Sequence, residues 1–283
     1  MTIEALLLSA GILGAVGLGF AVLISVANRR FYVFEDPRID AVVSLLPGNN
    51  CGACGFPGCR GFGEALVGGT TKPAICTVMS TDAREDVAAF LGIDVGSADQ
   101  RVARLLCAGG RDVAVQEADY VGLETCAAAT AVASGGKGCT WGCLGLADCE
   151  RSCDFGAIGM NDVGLPVVEP SLCTACGDCV EACPKDLFVL MPLAHQLLVQ
   201  CRNLLDGDAA TAVCQVACNG CRRCAADAAL DLITIQSGLA IVDYDRYDLA
   251  TPDAIARCPT GAIVWINGAQ FQEPARVLQG AVS

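Results

Sequence analysis

The stretch Cys173-x2-Cys176-x2-Cys179-x3-Cys183-Pro184 limits what this chain can fold into more than any other. Three cysteines at intervals of three can turn inward from one tight loop onto a cuboidal iron–sulfur cluster, while the fourth leaves on a helix toward a different cluster. A lone C-x2-C leaves zinc and thiol redox chemistry open, but four cysteines in this order closed by proline point to iron–sulfur ligation. The chain holds 20 cysteines in 283 residues, most of them in short, regular spacings. Aromatic residues make up only 5%, so metal clusters are expected to staple a core that large apolar side chains do not fill.

Ala5 to Ala27 carry no charge, a run long enough to cross a bilayer of roughly 30 Å as a helix. Arg29 and Arg30 follow at once and only Glu4 precedes. That asymmetry predicts an uncleaved anchor that crosses the membrane once, with the C-terminal bulk in the cytoplasm. A cleaved signal peptide needs its positive charge on the other side of the apolar run. The pairs Ala10/Gly14 and Ala15/Gly19 read equally as ordinary membrane-helix glycine and as a seat against neighbouring membrane subunits. In a reducing compartment the cysteines are ligands, not disulfides. The net charge of −13 argues against a nucleic-acid partner, which needs a basic face.

The first cysteine group is Cys51-x2-Cys54-x4-Cys59-x16-Cys76, within LPGNNCGACGFPGC. Gly52, Gly55 and Gly58 allow tight turns that aim backbone N–H groups at sulfur. Four thiolates would suit zinc too, but Gly-rich turns favour a larger group. A short helix is expected from Asp82 to Leu91. The second group, Cys139-x3-Cys143-x5-Cys149-x3-Cys153, and the third are separated by a strand-like Leu165–Val168. Similar phrases follow them, DFGAIGM and PKDLFVLM. This pseudo-repeat is the two-cluster pattern of bacterial ferredoxins, in which the last cysteine of each motif serves the other cluster. The expected ligand sets are Cys139 or a neighbour, Cys143, Cys149 and Cys183 for one cluster and Cys153, Cys173, Cys176 and Cys179 for the other. Leu146 stands where the second motif should have its middle cysteine, so Cys139 is taken as the substitute. Asp154 replaces the usual proline.

A fourth group, Cys218-x2-Cys221-x2-Cys224, opens a further unit whose remaining ligand positions are Ala228, Asp248, Thr251, Ala254 and Cys258. The four lost positions all belong to one cluster under the cross-ligation rule. Cys218, Cys221, Cys224 and Cys258 are therefore expected to hold a single surviving cluster. Sixteen cysteines thus serve four 4Fe–4S clusters. Cys107, Cys126, Cys201 and Cys214 remain, either as a fifth cluster or as buried apolar thiols. The stretch LLCAGG around Cys107 is unusual but unassigned. The single histidine, His195, and Trp141 and Trp265 are expected to pack. No Gly-rich phosphate cradle and no Ser/His/Asp arrangement is present, which excludes nucleotide and hydrolytic chemistry of those kinds.

The expected fold class is α+β. A transmembrane anchor (1–30) precedes a four-cysteine iron–sulfur domain (31–100) and a connecting segment (101–135). A two-cluster ferredoxin-like unit (136–195), a degenerate ferredoxin-like unit (196–267) and a tail (268–283) follow. The membrane helix, LPGNNCGACGFPGC with Cys76, LLCAGG, ETCAAA, CTWGCLGLADC and the ferredoxin motifs together resemble the long form of the Rnf B-subunit family. Two features depart from that family: Thr-Val-Met-Ser after Cys76, where Pro and Gly are usual, and the missing ligands of the last unit. The resemblance implies an iron–sulfur electron-transfer subunit of a membrane ion-translocating ferredoxin:NAD oxidoreductase. Its partners would be soluble ferredoxin, membrane and peripheral subunits of the complex and membrane lipid, with NAD chemistry on another subunit. A ferredoxin-type subunit of a different membrane dehydrogenase or reductase is the alternative, and a zinc scaffold a third reading. Arg222–Arg223 or Lys185 would supply a basic patch for an acidic ferredoxin.

Overall fold

A computed structural model describes residues 3–31 and 35–271. Most of the expected tail, residues 272–283, lies outside the described residues. The chain begins with α1 (Ile3–Phe31). Its stretch Ala10–Phe31 has a mean hydropathy of 2.3 and is long and apolar enough to cross a membrane. Leu13 and Leu18 are 73% and 71% exposed, an apolar surface that water would penalise and lipid would not.

A three-helix unit follows. Its helices are α2 (Pro37–Leu45), α3 (Gly58–Val67) and α4 (Thr81–Leu91). Helix α2 starts on Asp36, whose side chain accepts the Arg38 N–H, and α4 starts on Ser80, whose side chain accepts the Ala83 N–H. These caps satisfy donors that the first turn leaves unpaired. Val42, Phe62, Leu66 and Val87 form the core beside Cys76. Gly63 permits the close approach of α2 and α3, since a Cβ there would lie 2.9 Å from Val43 Cγ2.

The remainder contains two units of the same plan. In the first, β1 (Arg101–Leu105) pairs antiparallel with β4 (Phe188–Pro192), and β2 (Ile158–Met160) pairs with β3 (Pro166–Val168). Helices α5 (Cys126–Ala131), α6 (Asp148–Arg151) and α7 (Asp178–Glu181) lie between these strands in sequence. In the second unit, β5 (Leu197–Val199) pairs with β8 (Ile263–Trp265), and β6 (Ile233–Gln236) pairs with β7 (Leu239–Val242). Helices α8 (Gly207–Val213) and α9 (Arg223–Asp227) precede its inner hairpin. In each unit the first and last strands make the outer pair.

The segment expected merely to connect, 101–135, supplies both β1 and α5. Strand β1 buries Val102, Ala103, Arg104 and Leu105, and its register aligns Leu105 with Phe188. The first residues of the expected tail are also part of the fold. The Gln270 side chain bonds both the N–H and the C=O of Leu105, at 2.8 and 3.0 Å, and Gly268 C=O accepts from Arg104 Nη1 at 2.7 Å. Backbone bonds from Ala108 N–H to Gln200 C=O and from Val115 N–H to Val213 C=O join the two units.

Candidate metal centres

Four cysteine-ringed cavities follow one another along the fold. The first, about 350 Å³, is lined by Cys51, Cys54, Cys59 and Cys76. Gly52, Gly55 and Gly58 all have positive φ there. Asn50 Oδ1 accepts the Cys59 N–H at 2.8 Å, and a Cβ on Gly58 would lie 2.9 Å from that same oxygen. Glycine at 58 therefore keeps the loop folded over the cysteines.

The second and third cavities lie in the first two-sheet unit. One, of about 310 Å³, is lined by Cys153, Cys173, Cys176 and Cys179, the set that cross-ligation predicted. The other, of about 360 Å³, is lined by Cys143, Cys149, Cys183 and Cys126. Cys139, chosen from the sequence as the substitute for the missing middle cysteine, is not among its lining residues; Cys126 takes that place. The cause is a clamp at the start of α5. Asp148 at the start of α6 accepts the Ala127 N–H at 3.0 Å, and Arg151 donates to the Glu124 C=O at 2.9 Å. Local spacing carries no trace of this contact, because Cys126 stands far upstream of the motif.

The fourth cavity, of about 330 Å³, is lined by Cys218, Cys221, Cys224 and Cys258. The positions lost from this unit lie elsewhere. Ala254 is buried, and Ala228, Tyr244, Tyr247 and Ala250 pack on the same apolar core. His195 stacks on Tyr247 with ring centroids 4.0 Å apart, a packing role.

The three ferredoxin-type loops share one backbone device. Gly145, Ala175 and Gly220 each stand two residues after a loop's first cysteine and have positive φ. So do Ala147, Gly177 and Arg222, which cap α6, α7 and α9 in the left-handed conformation. Alternating hands turn successive N–H groups to one side, forming a concavity suited to an anion. The first loop keeps this shape with Leu146 at its middle position.

Burial pushes the Cys143, Cys149 and Cys179 thiols up to about 12 and Cys224 up to about 11. Cys258 differs: burial would raise it, but backbone N–H donors from Ile263, Thr260 and Ala262 and the Thr260 hydroxyl bring it below its ordinary value. A bound metal centre would be held by the thiolate forms of these residues, with their protons released to water. The spread of the cysteines around each cavity suits a centre larger than one ion. Thiolates on a single zinc stand roughly 4 Å from each other, and among the described residues no three His, Cys, Asp or Glu side chains converge in a way that would hold a metal ion. Four soft sulfur donors around a cavity with inward N–H groups fit an iron–sulfur cluster.

An Fe-S cluster family model matches residues 46–78 and a 4Fe-4S dicluster domain matches residues 138–188. The chain is 39% identical over 261 residues to the B subunit of the Na+-translocating ferredoxin:NAD+ oxidoreductase complex of Acetobacterium woodii, covering 92% of this chain and 78% of the relative. It is 36% identical to the B subunit of the ion-translocating oxidoreductase complex of Methanosarcina acetivorans, covering 87% and 94%. It is 35% identical to the B subunit of the proton-translocating ferredoxin:NAD+ oxidoreductase complex of Clostridium ljungdahlii, covering 92% and 93%. The chain belongs to the B-subunit family of ion-translocating oxidoreductase complexes. Within this family member, the first matched segment spans the whole Cys51 cavity and the second spans the motifs from Cys139 to Cys183. Cys107, Cys126 and the entire unit built on Cys218 lie outside both matched segments.

Proposed function

We infer that this chain relays single electrons between a soluble ferredoxin and the other subunits of a membrane ion-translocating, NAD-linked oxidoreductase. The observation that carries this reading is the succession of four cavities, each ringed by four cysteines, in a chain of the B-subunit family. Cys51, Cys54, Cys59 and Cys76 hold the first 4Fe–4S cluster. Cys126, Cys143, Cys149 and Cys183 hold the second, and Cys153, Cys173, Cys176 and Cys179 the third. Cys218, Cys221, Cys224 and Cys258 hold the last, in a ferredoxin-like unit where apolar packing replaces a second site. A bound cluster supplies one-electron chemistry within roughly −700 to +450 mV. The chain's residues set where in that range each site falls, through N–H groups aimed at sulfur and through exclusion of water.

Helix α1 anchors the protein in the bacterial cytoplasmic membrane by a single pass, with Arg29 and Arg30 and the cluster-bearing bulk on the cytoplasmic side. Ferredoxin docks at the last unit. Cys221 is exposed there, and Arg222 and Arg223 beside it are exposed too. Lys185 is a poorer candidate, because its ammonium is tied to Ser134 Oγ and Thr140 C=O, each at 2.9 Å.

The test is anaerobic purification of the assembled complex, followed by ferredoxin-dependent reduction of NAD+. Reduced ferredoxin should also reduce the isolated protein. Reversing charge at Arg222 and Arg223 should slow that step, more at low salt than at high. A protein that ferredoxin leaves oxidised would overturn the reading, and an unchanged rate at low salt would remove the docking site alone.

A further inference from the structure

Four cysteines remain outside the four cavities: Cys107, Cys139, Cys201 and Cys214. They sit far apart in sequence, yet the fold gathers them at the seam between the two units. We propose that these four cysteines hold a fifth 4Fe–4S cluster, with Lys137 as its buried counter-charge. The proposal adds to the electron-transfer reading of the four cavities and rests on it only for the use the site is put to.

Gathering shows first at Gly109. A Cβ there would lie 3.0 Å from Cys214 Sγ and 3.7 Å from Cys107 Sγ, so two sulfurs approach one point of backbone and a side chain there would press on Cys214. This accounts for glycine in LLCAGG. Cys139 and Cys107 are close enough for their charges to act on Cys214, and Cys107 acts in turn on Cys201. All four residues are buried, at 7%, 7%, 8% and 6% exposed in chain order.

Sulfurs here also receive backbone N–H groups. Cys107 Sγ accepts from Cys143 N–H at 3.4 Å. Cys201 Sγ accepts from Cys218 N–H at 3.3 Å and from Asn203 N–H at 3.4 Å. The Cys139 sulfur is supported by the N–H groups of Trp141 and Gly142, and that of Cys214 by Val216. Thiols packed merely as apolar side chains need no such donors, whereas cluster thiolates do.

A buried cation completes the site. Lys137 is 8% exposed, and its Nζ donates to Gly109 C=O at 2.5 Å and Cys143 C=O at 2.6 Å. Among the described residues it forms no ion pair with a carboxylate. A buried ammonium is costly without an anion. Its charge acts on Cys139, Cys143 and Cys214, where four thiolates on a cluster would supply net negative charge. Asn203, 1% exposed beside Cys201, has a buried Nδ2 with no partner, a further donor left over for a bound group.

The location gives the site a use. Its Cys107 sulfur touches the Cys143 amide, and Cys143 lines the Cys126 cavity. Its Cys201 sulfur touches the Cys218 amide, and Cys218 lines the cavity of the last unit. A cluster here would take one electron from a reduced neighbour on one side, oxidising it, and pass that electron to the other.

Iron and acid-labile sulfide in the full-length holoprotein, purified anaerobically, decide the matter. About twenty of each per chain are expected. Cys139→Ser and Cys214→Ser should each lose about four of both, with the same paramagnetic signal of the reduced protein, whereas Cys126→Ser loses a different signal. About sixteen irons in the unaltered protein, untouched by Cys139→Ser and Cys214→Ser, would overturn the fifth site. Lys137→Met keeps every ligand, so it separates a lost site from a misfolded chain. It should leave the iron count unchanged and move the potential of that signal, and by less that of the Cys143 cluster beside it, to more negative values; an unmoved potential of the fifth signal overturns the counter-charge. The four-cavity reading fails separately, as a holoprotein that ferredoxin does not reduce whatever its iron content.

Discussion

Asp148 Oδ2 accepts the backbone N–H of Ala127 at 3.0 Å, and this bond sets the cysteine before it, Cys126, against the Cys143 loop. The same carboxylate pairs with Arg151. Removing it in Asp148→Ala frees the start of α5, at a cost of about 1 kcal/mol. The expected outcome is a lower Tm and faster chelator-driven iron loss from one cluster, followed by visible absorbance. Unchanged melting and iron release would show that Cys126 is held by other means.

Gly58 and Gly69 make a matched pair. Both have positive φ, at +82° and +69°, but a Cβ on Gly58 meets Asn50 Oδ1 while one on Gly69 meets nothing within 4 Å. Gly69→Ala should cost about 1 kcal/mol, from conformation alone. Gly58→Ala should cost more and deplete the chain of about four irons, because it displaces the acceptor of the Cys59 N–H. Equal iron content in the two variants would contradict this account of the loop.

Arg104 is 1% exposed on β1, with Nη1 bound to Gly268 C=O and its Nε and Nη2 unpartnered. Cys173, a cysteine of the third cavity, lies close enough for its charge as a thiolate to act on the guanidinium. Arg104→Met removes a positive charge from beside that site, an effect on the order of 1 kcal/mol. A redox titration followed by EPR should find one cluster at a more negative potential and the rest unmoved.

His195 is the single histidine, so its imidazole titrates without overlap in an NMR experiment. Burial against the tyrosines lowers its pKa below 6.5, with Asp99 opposing. The unfolded chain then binds the proton more readily than the folded one. Any stability that this histidine contributes is present above pH 6.5 and is lost as pH falls through the folded pKa. A measured value at or above 6.5 would mean that the stacked arrangement with Tyr247 does not persist in solution.

Deleting residues 1–31 removes the apolar surface of α1 and leaves the helix caps and cores of the cluster units intact. The shortened chain should move from the membrane fraction to the soluble fraction with its iron retained. Membrane retention without α1 would place the attachment in the cluster-bearing part.

In the cysteine sequence by itself, the residues that line three cavities were legible: the Cys51 group from one run closed by Cys76, and the Cys173 and Cys218 groups from one short loop plus a partner expected by cross-ligation. A ligand loop is a local object: glycines and left-handed residues at fixed offsets fold N–H groups inward whatever surrounds them. The same locality let the absence of cysteine at 228, 248, 251 and 254 be read as the loss of one whole site; Ala228 and Ala254 lie in or against the apolar core, while Asp248 and Thr251 are exposed. Hydropathy marked α1 for an equally local reason, and the helix expected over Asp82–Leu91 is the α4 of the structure. Only tertiary structure decided the exchange of Cys126 for Cys139, the pairing of β1 with β4 and the gathering of Cys107, Cys139, Cys201 and Cys214. A thiol has the same ligating chemistry wherever it stands in the chain. Which of several distant cysteines closes a site is settled by the contacts that bring it there: the Asp148 clamp, the Leu105–Phe188 register and the close approach at Gly109.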